Sequence, residues 1–139
     1  MNTVPPKISQ TNTRFAALVL VMVVLAVMAF IYFINPSAHH FYPVCQFHRL
    51  TGLNCPGCGA TRAMYALLHG NIATAVHDNV LFVVGLALAG LRGGWFLANH
   101  LRGRANGPFF PPRLLLPVLV VMLVFGILRN LPAFAFLSP

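Results

Sequence analysis

FAALVLVMVVLAVMAFIYFI, residues 15–34, carries no charge and no strong helix breaker over twenty consecutive positions. At about 1.5 Å of rise per residue, a helix of this length covers about 30 Å, the thickness of a bilayer's hydrocarbon core. The run predicts a membrane-spanning helix. A cleaved secretory signal has an apolar centre of about 7–15 residues followed by small residues at a cleavage site. Here a longer run leads into NPSAHH, so a retained anchor is expected.

The remainder of the chain agrees. Of 139 residues, 58% are hydrophobic and 7% charged, against about 25% charged in soluble proteins. Residues 80–98, VLFVVGLALAGLRGGWFLA, form a second candidate span, with Arg92 near one end and able to snorkel to the interface. Gly90 and Gly94 stand at GxxxG spacing, and Gly85 lies one turn earlier, a ridge on which another helix can approach closely. Packing within the chain is the expected use of that ridge, and a membrane-protein partner the other. A third span is expected at 114–137, starting after PFFPPR and running through Arg129 and Asn130 into LPAFAFL. The reading is an all-α integral membrane protein of one domain, with about three transmembrane helices. The 1–14 tail precedes the first, a loop at 35–79 and a basic loop at 99–113 join the spans, and a short interfacial helix at 60–69 lies within the first loop.

Charge gives an orientation. With the N-terminus in the cytoplasm, the inner side holds Lys7, Arg14, Arg92, Arg102, Arg104 and Arg113, and the outer side Arg49, Arg62 and Arg129. The excess of positive residues inside predicts a multi-pass plasma (inner) membrane protein with the cysteine-rich loop outside. A net charge of +8 in a soluble chain would point to nucleic acid. Here the basic residues are scattered between apolar segments, so no nucleic acid is expected, and the partner is the lipid bilayer with its anionic headgroups.

The first loop concentrates the chemistry. All three cysteines, and five of the six histidines, lie between positions 39 and 77. Cys45 and His48 are spaced C-x-x-H and Cys55 and Cys58 C-x-x-C, a Cys3His set. Zinc takes four nitrogen or sulfur ligands in a tetrahedron, and two ligands separated by two residues grip one ion from a single turn. In CPGCG the proline stiffens the turn and the glycines allow backbone angles that aim amide N–H groups at thiolates. The turn resembles one metal knuckle of rubredoxins and zinc ribbons, and implies a zinc-like ion on Cys45, His48, Cys55 and Cys58.

Two other readings use the same atoms. If ATRAMYALLH is helical, Cys55 and Cys58 stand at its N-terminal end, where the dipole and Arg62 favour thiolates. A thiol–disulfide exchange protein would then work through Cys55 and Cys58 with Cys45 as the third sulfur. Alternatively, the cysteines are a staple that holds the loop, as a disulfide or a structural ion, without catalysis; a further reading is a non-catalytic subunit that docks on a larger membrane complex through its glycine ridge. Along the helix itself, Arg62, Tyr65, Ala66 and His69 form a polar stripe, and Ala63, Met64, Leu67 and Leu68 the opposite one. Asp78 is the single acidic residue of the chain. It is expected either to pair with Arg62 or Arg129 in a polar cluster or to cap the second span beside Asn79.

The order CQFHRLTGLNCPGCGATRAMYALLHGNIATAVHDN resembles the bacterial membrane-protein family known as domain of unknown function 2752. The likeness runs from Cys45 to Asn79 around the core LTG..CPGCG.TRA, and Cys45, Cys55, Pro56, Cys58, Gly59, Arg62 and Asn79 match family positions. Gln46 and Val80 each stand where the family often has proline. The resemblance implies a small multi-pass membrane protein with a cysteine-rich loop and implies no activity.

Much chemistry is excluded. One acidic residue cannot supply a paired-carboxylate hydrolase or a carboxylate-rich two-metal site. No Walker loop, nucleophile elbow or dinucleotide fingerprint is present. No catalytic residue is assigned.

Overall fold

The computed structural model describes residues 10–38, 42, 45–105 and 107–138, with backbone alone at 10–14 and 17. Lys7 and most of the expected 1–14 tail, together with His39 and His40, lie outside them. Among the described residues every regular element is helical: α1 (Gln10–Phe33), α2 (Gln46–Thr51), α3 (Ala60–Leu68), α4 (Ile72–Leu101) and α5 (Leu115–Leu128), with 3-10 turns at Pro112–Leu114 and Pro132–Leu137.

α1 has no polar face in its apolar part, and its large side chains point away from the protein: Leu18 is 65% and Met22 66% exposed. α5 is alike, with Leu116 71% exposed. Apolar surface on every side of a helix has no stable place in water unless something covers it. α4 is the one helix among the described residues that is long and apolar enough to cross a membrane; the apolar stretches Leu18–Phe33 and Pro112–Leu128 are shorter.

α4 begins eight residues before the expected span. Asn71 caps it, its side-chain oxygen accepting the Thr74 N–H at 3.1 Å, so the first cap lies about two turns upstream of Asp78. Asn79 then leaves helical geometry, at φ −164° and ψ 91°, and its Oδ1 accepts the Phe82 N–H at 2.9 Å. It restarts the helix as an N-cap does. From there to Leu101 the helix covers about 33 Å. Arg92 does not merely reach outward: its Nε and Nη2 donate to Phe109 O and Pro108 O at 3.3 and 3.1 Å, tying the returning loop to α4.

The third expected span is not one continuous helix. Pro132 has no N–H to give and forces the preceding residue out of the α region; Leu131 is accordingly extended, at φ −89° and ψ 136°. Helix α5 therefore stops at Leu128, and the segment beyond Arg129 returns as a 3-10 turn.

The small core lies between α3 and α4, where Ala63, Ala66 and Ala75 are buried with Leu67, Phe82 and Val83 packed around them. Ala66, assigned above to the polar stripe, is thus on the packing face. Three methyl-sized side chains let the two backbones approach closely. Among the described residues the glycine ridge has no such partner: nothing outside its own helix backbone lies within 4 Å of where a Cβ on Gly85, Gly90 or Gly94 would stand. α3 covers only the first turns of α4, so the packing expected at the ridge is absent among the described residues. Replacing Ala63, which is 0% exposed, by leucine is expected to force α3 off α4. Thermal unfolding in detergent should show a loss of about 1–3 kcal/mol, the usual cost of overpacking, whereas Leu116→Ala on the outward face of α5 should leave the α3–α4 contact unaffected.

Candidate metal centre

The CPGCG segment is a pair of overlapping turns, closed by Cys58 N–H to Cys55 O and Ala60 N–H to Gly57 O, both 3.1 Å. Gly59 leads out of it into α3 at φ 82°, a left-handed angle that glycine adopts without strain from a Cβ. The turn therefore comes straight off the start of a helix whose far side packs on α4.

Three side chains from distant parts of the sequence hold the turn by its backbone. Asn79 donates both Nδ2 hydrogens, to Pro56 O at 2.9 Å and to Cys58 O at 3.0 Å. Arg129 Nη1 donates to Cys55 O at 2.9 Å and Cys58 O at 3.1 Å. Asn130 pairs with the backbone of Asn54 in both directions, accepting its N–H at 2.7 Å and donating to its carbonyl at 2.8 Å. Asn79 and Arg129 are each only 1% exposed. Pro56 packs on Gly126 of α5 so closely that a Cβ there would stand 3.1 Å from the proline Cγ. Ser138 completes the support from the last turn, its hydroxyl donating to Arg129 O at 2.8 Å.

The clamp brings the sulfurs together. Cys55 Sγ lies 3.2 Å from Cys45 Sγ and 3.2 Å from Cys58 Sγ, and all three fall within 4.8 Å of one another. All three cysteines are free thiols, since a disulfide requires about 2.05 Å. Cys45 stands at the N-cap of α2. Its side chain closes no full capping hydrogen bond, yet the His48 backbone amide, helped by the Cys55 thiol, favours its thiolate and lowers it to about 7. Burial, with the neighbouring Cys55 thiol, pushes Cys58 up to about 12.

His48 is not part of this cluster. It sits on exposed α2 with Nδ1 3.2 Å from Leu53 O, and the group of potential ligand atoms comprises the three sulfurs alone. The C-x-x-H spacing presumes one tight turn, but the chain after Cys45 is helical and carries the imidazole to the Gly52–Leu53 bend. The expected polar cluster is also divided. Arg129 is inside, under the sulfurs; Arg62 and Asp78 line a separate cavity, and among the described residues no ion pair links Asp78 to either arginine. Sequence reasoning passed over Asn130 and Gly126, and gave Asn79 only a capping role. The available signal was an amide or glycine at the end of an otherwise apolar run, where a polar group needs a partner.

Two outcomes are expected. Treating the reduced, metal-free protein with iodoacetamide at pH 7 should label Cys45 well before Cys58, because only a thiolate attacks; mass mapping of the peptides reads the order. The rate at Cys45 should fall about tenfold per unit as pH drops well below 7. Gly126→Val, which drives a branched side chain into Pro56, should lower stability by about 1–3 kcal/mol and make Cys55 and Cys58 more reactive.

The comparisons with known proteins bear on this same region. No curated protein and no solved structure matches the chain. Residues 45–93 match the family described as "Protein of unknown function (DUF2752)", and that segment contains the three sulfurs, the clamped turn, α3 and the kink at Asn79.

Proposed function

We propose that the chain is a multi-pass protein of the plasma (inner) membrane, with a cytoplasmic N-terminus, that holds one zinc-like ion on Cys45, Cys55 and Cys58 at the outer surface. The observation that carries the reading is the bent arrangement of the three sulfurs. Three thiolates each about 2.3 Å from one ion stand about 3.8 Å apart, and separations of 3.2, 3.2 and at most 4.8 Å bracket that value. A tetrahedral ion would keep a fourth position for an exogenous ligand, the arrangement of zinc sites that act rather than merely brace.

Charge supports a dication. Three thiolates and a doubly charged ion sum to one negative charge, and Arg129 supplies one positive charge from beneath the turn. Among the described residues its Nε and Nη2 are buried without a hydrogen-bond partner, a costly state for a guanidinium unless a nearby negative charge offsets it. The ring of Phe125, 5.1 Å from Cζ, contributes further.

Geometry disfavours exchange between thiols and disulfides as the resting task. A thiolate attacks along the line of the bond it breaks, and three sulfurs in line with these separations would put Cys45 and Cys58 roughly 6 Å apart; they lie within 4.8 Å. The membrane reading rests on the outward apolar faces of α1 and α5, on α4, and on the six-to-three distribution of basic residues. The clamp joins the early part of α4 to the end of α5, as two antiparallel spans meeting at one surface would.

The test is to purify the protein under mild conditions, measure bound metal per chain, and count thiols before and after reduction. One ion per chain with three sulfur neighbours at about 2.3 Å by X-ray absorption is expected. Serine at any one of the three cysteines should abolish stoichiometric binding, and His48→Ala should retain it. A metal-free protein with a Cys55–Cys58 bond would overturn the proposal, and loss of metal in His48→Ala would overturn the three-sulfur set.

A further inference from the structure

Arg62 and Asp78 take no part in holding the cysteine turn. Both line a cavity of about 240 Å³ between the end of α1, the outer side of α3 and the first turns of α4, together with Asn35, Tyr65, His69 and Thr74. Among the described residues, no hydrogen bond or ion pair engages either charged side chain. A cation and the chain's one carboxylate therefore face the same space without joining across it. The arrangement suits a ligand that carries both charges and bridges them.

Two further features define that ligand. The cavity is smaller than the roughly 300–1,000 Å³ of sites for drug-sized molecules, so it takes a compact polar group and leaves any long chain outside. Two of the lining residues carry rings: His69 lies 4.2 Å from Tyr65 at a 35° tilt, and on its other contact stacks on Tyr32 of α1 at 4.5 Å and 6°. Tyr32 ends the apolar run of α1, the level at which aromatic residues mark the boundary between lipid chains and headgroups. Arginine presents a planar fork that fits phosphate oxygens, and a carboxylate accepts hydrogen bonds from a primary ammonium.

We propose that this cavity binds the phosphate–ethanolamine headgroup of an aminophospholipid, with phosphate at Arg62 and ammonium at Asp78. The proposal rests on α1 being a membrane span, as argued above, and is independent of the metal. The headgroup holds the ends of α1, α3 and α4 at a fixed depth.

Native mass spectrometry of the full chain in detergent, after incubation with phosphatidylethanolamine, phosphatidylcholine or phosphatidylglycerol, tests it. Phosphatidylethanolamine should be retained about fivefold better than the other two, the factor expected of one partly exposed charge contact. Asp78→Asn should erase the preference over phosphatidylcholine, whose quaternary ammonium donates no hydrogen bond, and Asp78→Glu should restore it. Arg62→Gln should weaken all three, with bound metal per chain unchanged. Equal retention of the three lipids, or an unchanged preference in Asp78→Asn, overturns the proposal; equal binding of free phosphoethanolamine overturns the lipid as its source. Extraction of the protein from membranes by alkaline carbonate without detergent would instead overturn the membrane reading itself.

Discussion

Everything at the cysteine turn depends on one constraint: backbone carbonyls next to apolar helices need hydrogen-bond donors. A carbonyl shielded from water without a partner costs free energy on the scale of a lost hydrogen bond or more. The turn presents the carbonyls of Asn54, Cys55, Pro56 and Cys58, and each receives a donor from Asn79, Arg129 or Asn130. Those residues stand where two apolar helices are interrupted or end. The helices thus serve as posts, and the polar residues on them fix a loop that has almost no core of its own.

With the backbone held, the thiols acquire their differences. Cys55 is shared between two neighbours at equal distance, Cys45 gains backbone amides from the short α2, and Cys58 lies deepest. Three thiols of unequal acidity at one point form a donor set for a soft or borderline ion. The arginine beneath them is placed to offset negative charge on the sulfurs. α3 contributes by rigidity: its alanine contact with α4 and the left-handed Gly59 fix the direction in which the turn leaves the helix.

The helical class and the sulfur-rich turn were legible because both are local. An uncharged run such as 15–34 reads as an apolar helix from its own residues, and CPGCG encodes its own bend. The C-x-x-H spacing does not bring His48 beside the sulfurs, because the residues that follow Cys45 form a helix. The halt of α5 is encoded by Pro132, which forces Leu131 out of helical geometry. The donors from Asn79 and Arg129 were hidden for a different reason: they reach carbonyls 21 to 74 positions away, and no periodicity carries that distance. Ala66 shows the same limit at close range, since a small residue fits either stripe until the neighbouring helix is known.

Asn79 has no spare valence. Both hydrogens of its amide are committed to the sulfur-bearing bend, and its oxygen is committed to the next helical segment. The direction in which α4 continues beyond Asn79 is therefore tied to the bend that carries the thiols. Any change in the lean of that segment would be transmitted through a single side chain to the place where the sulfurs converge.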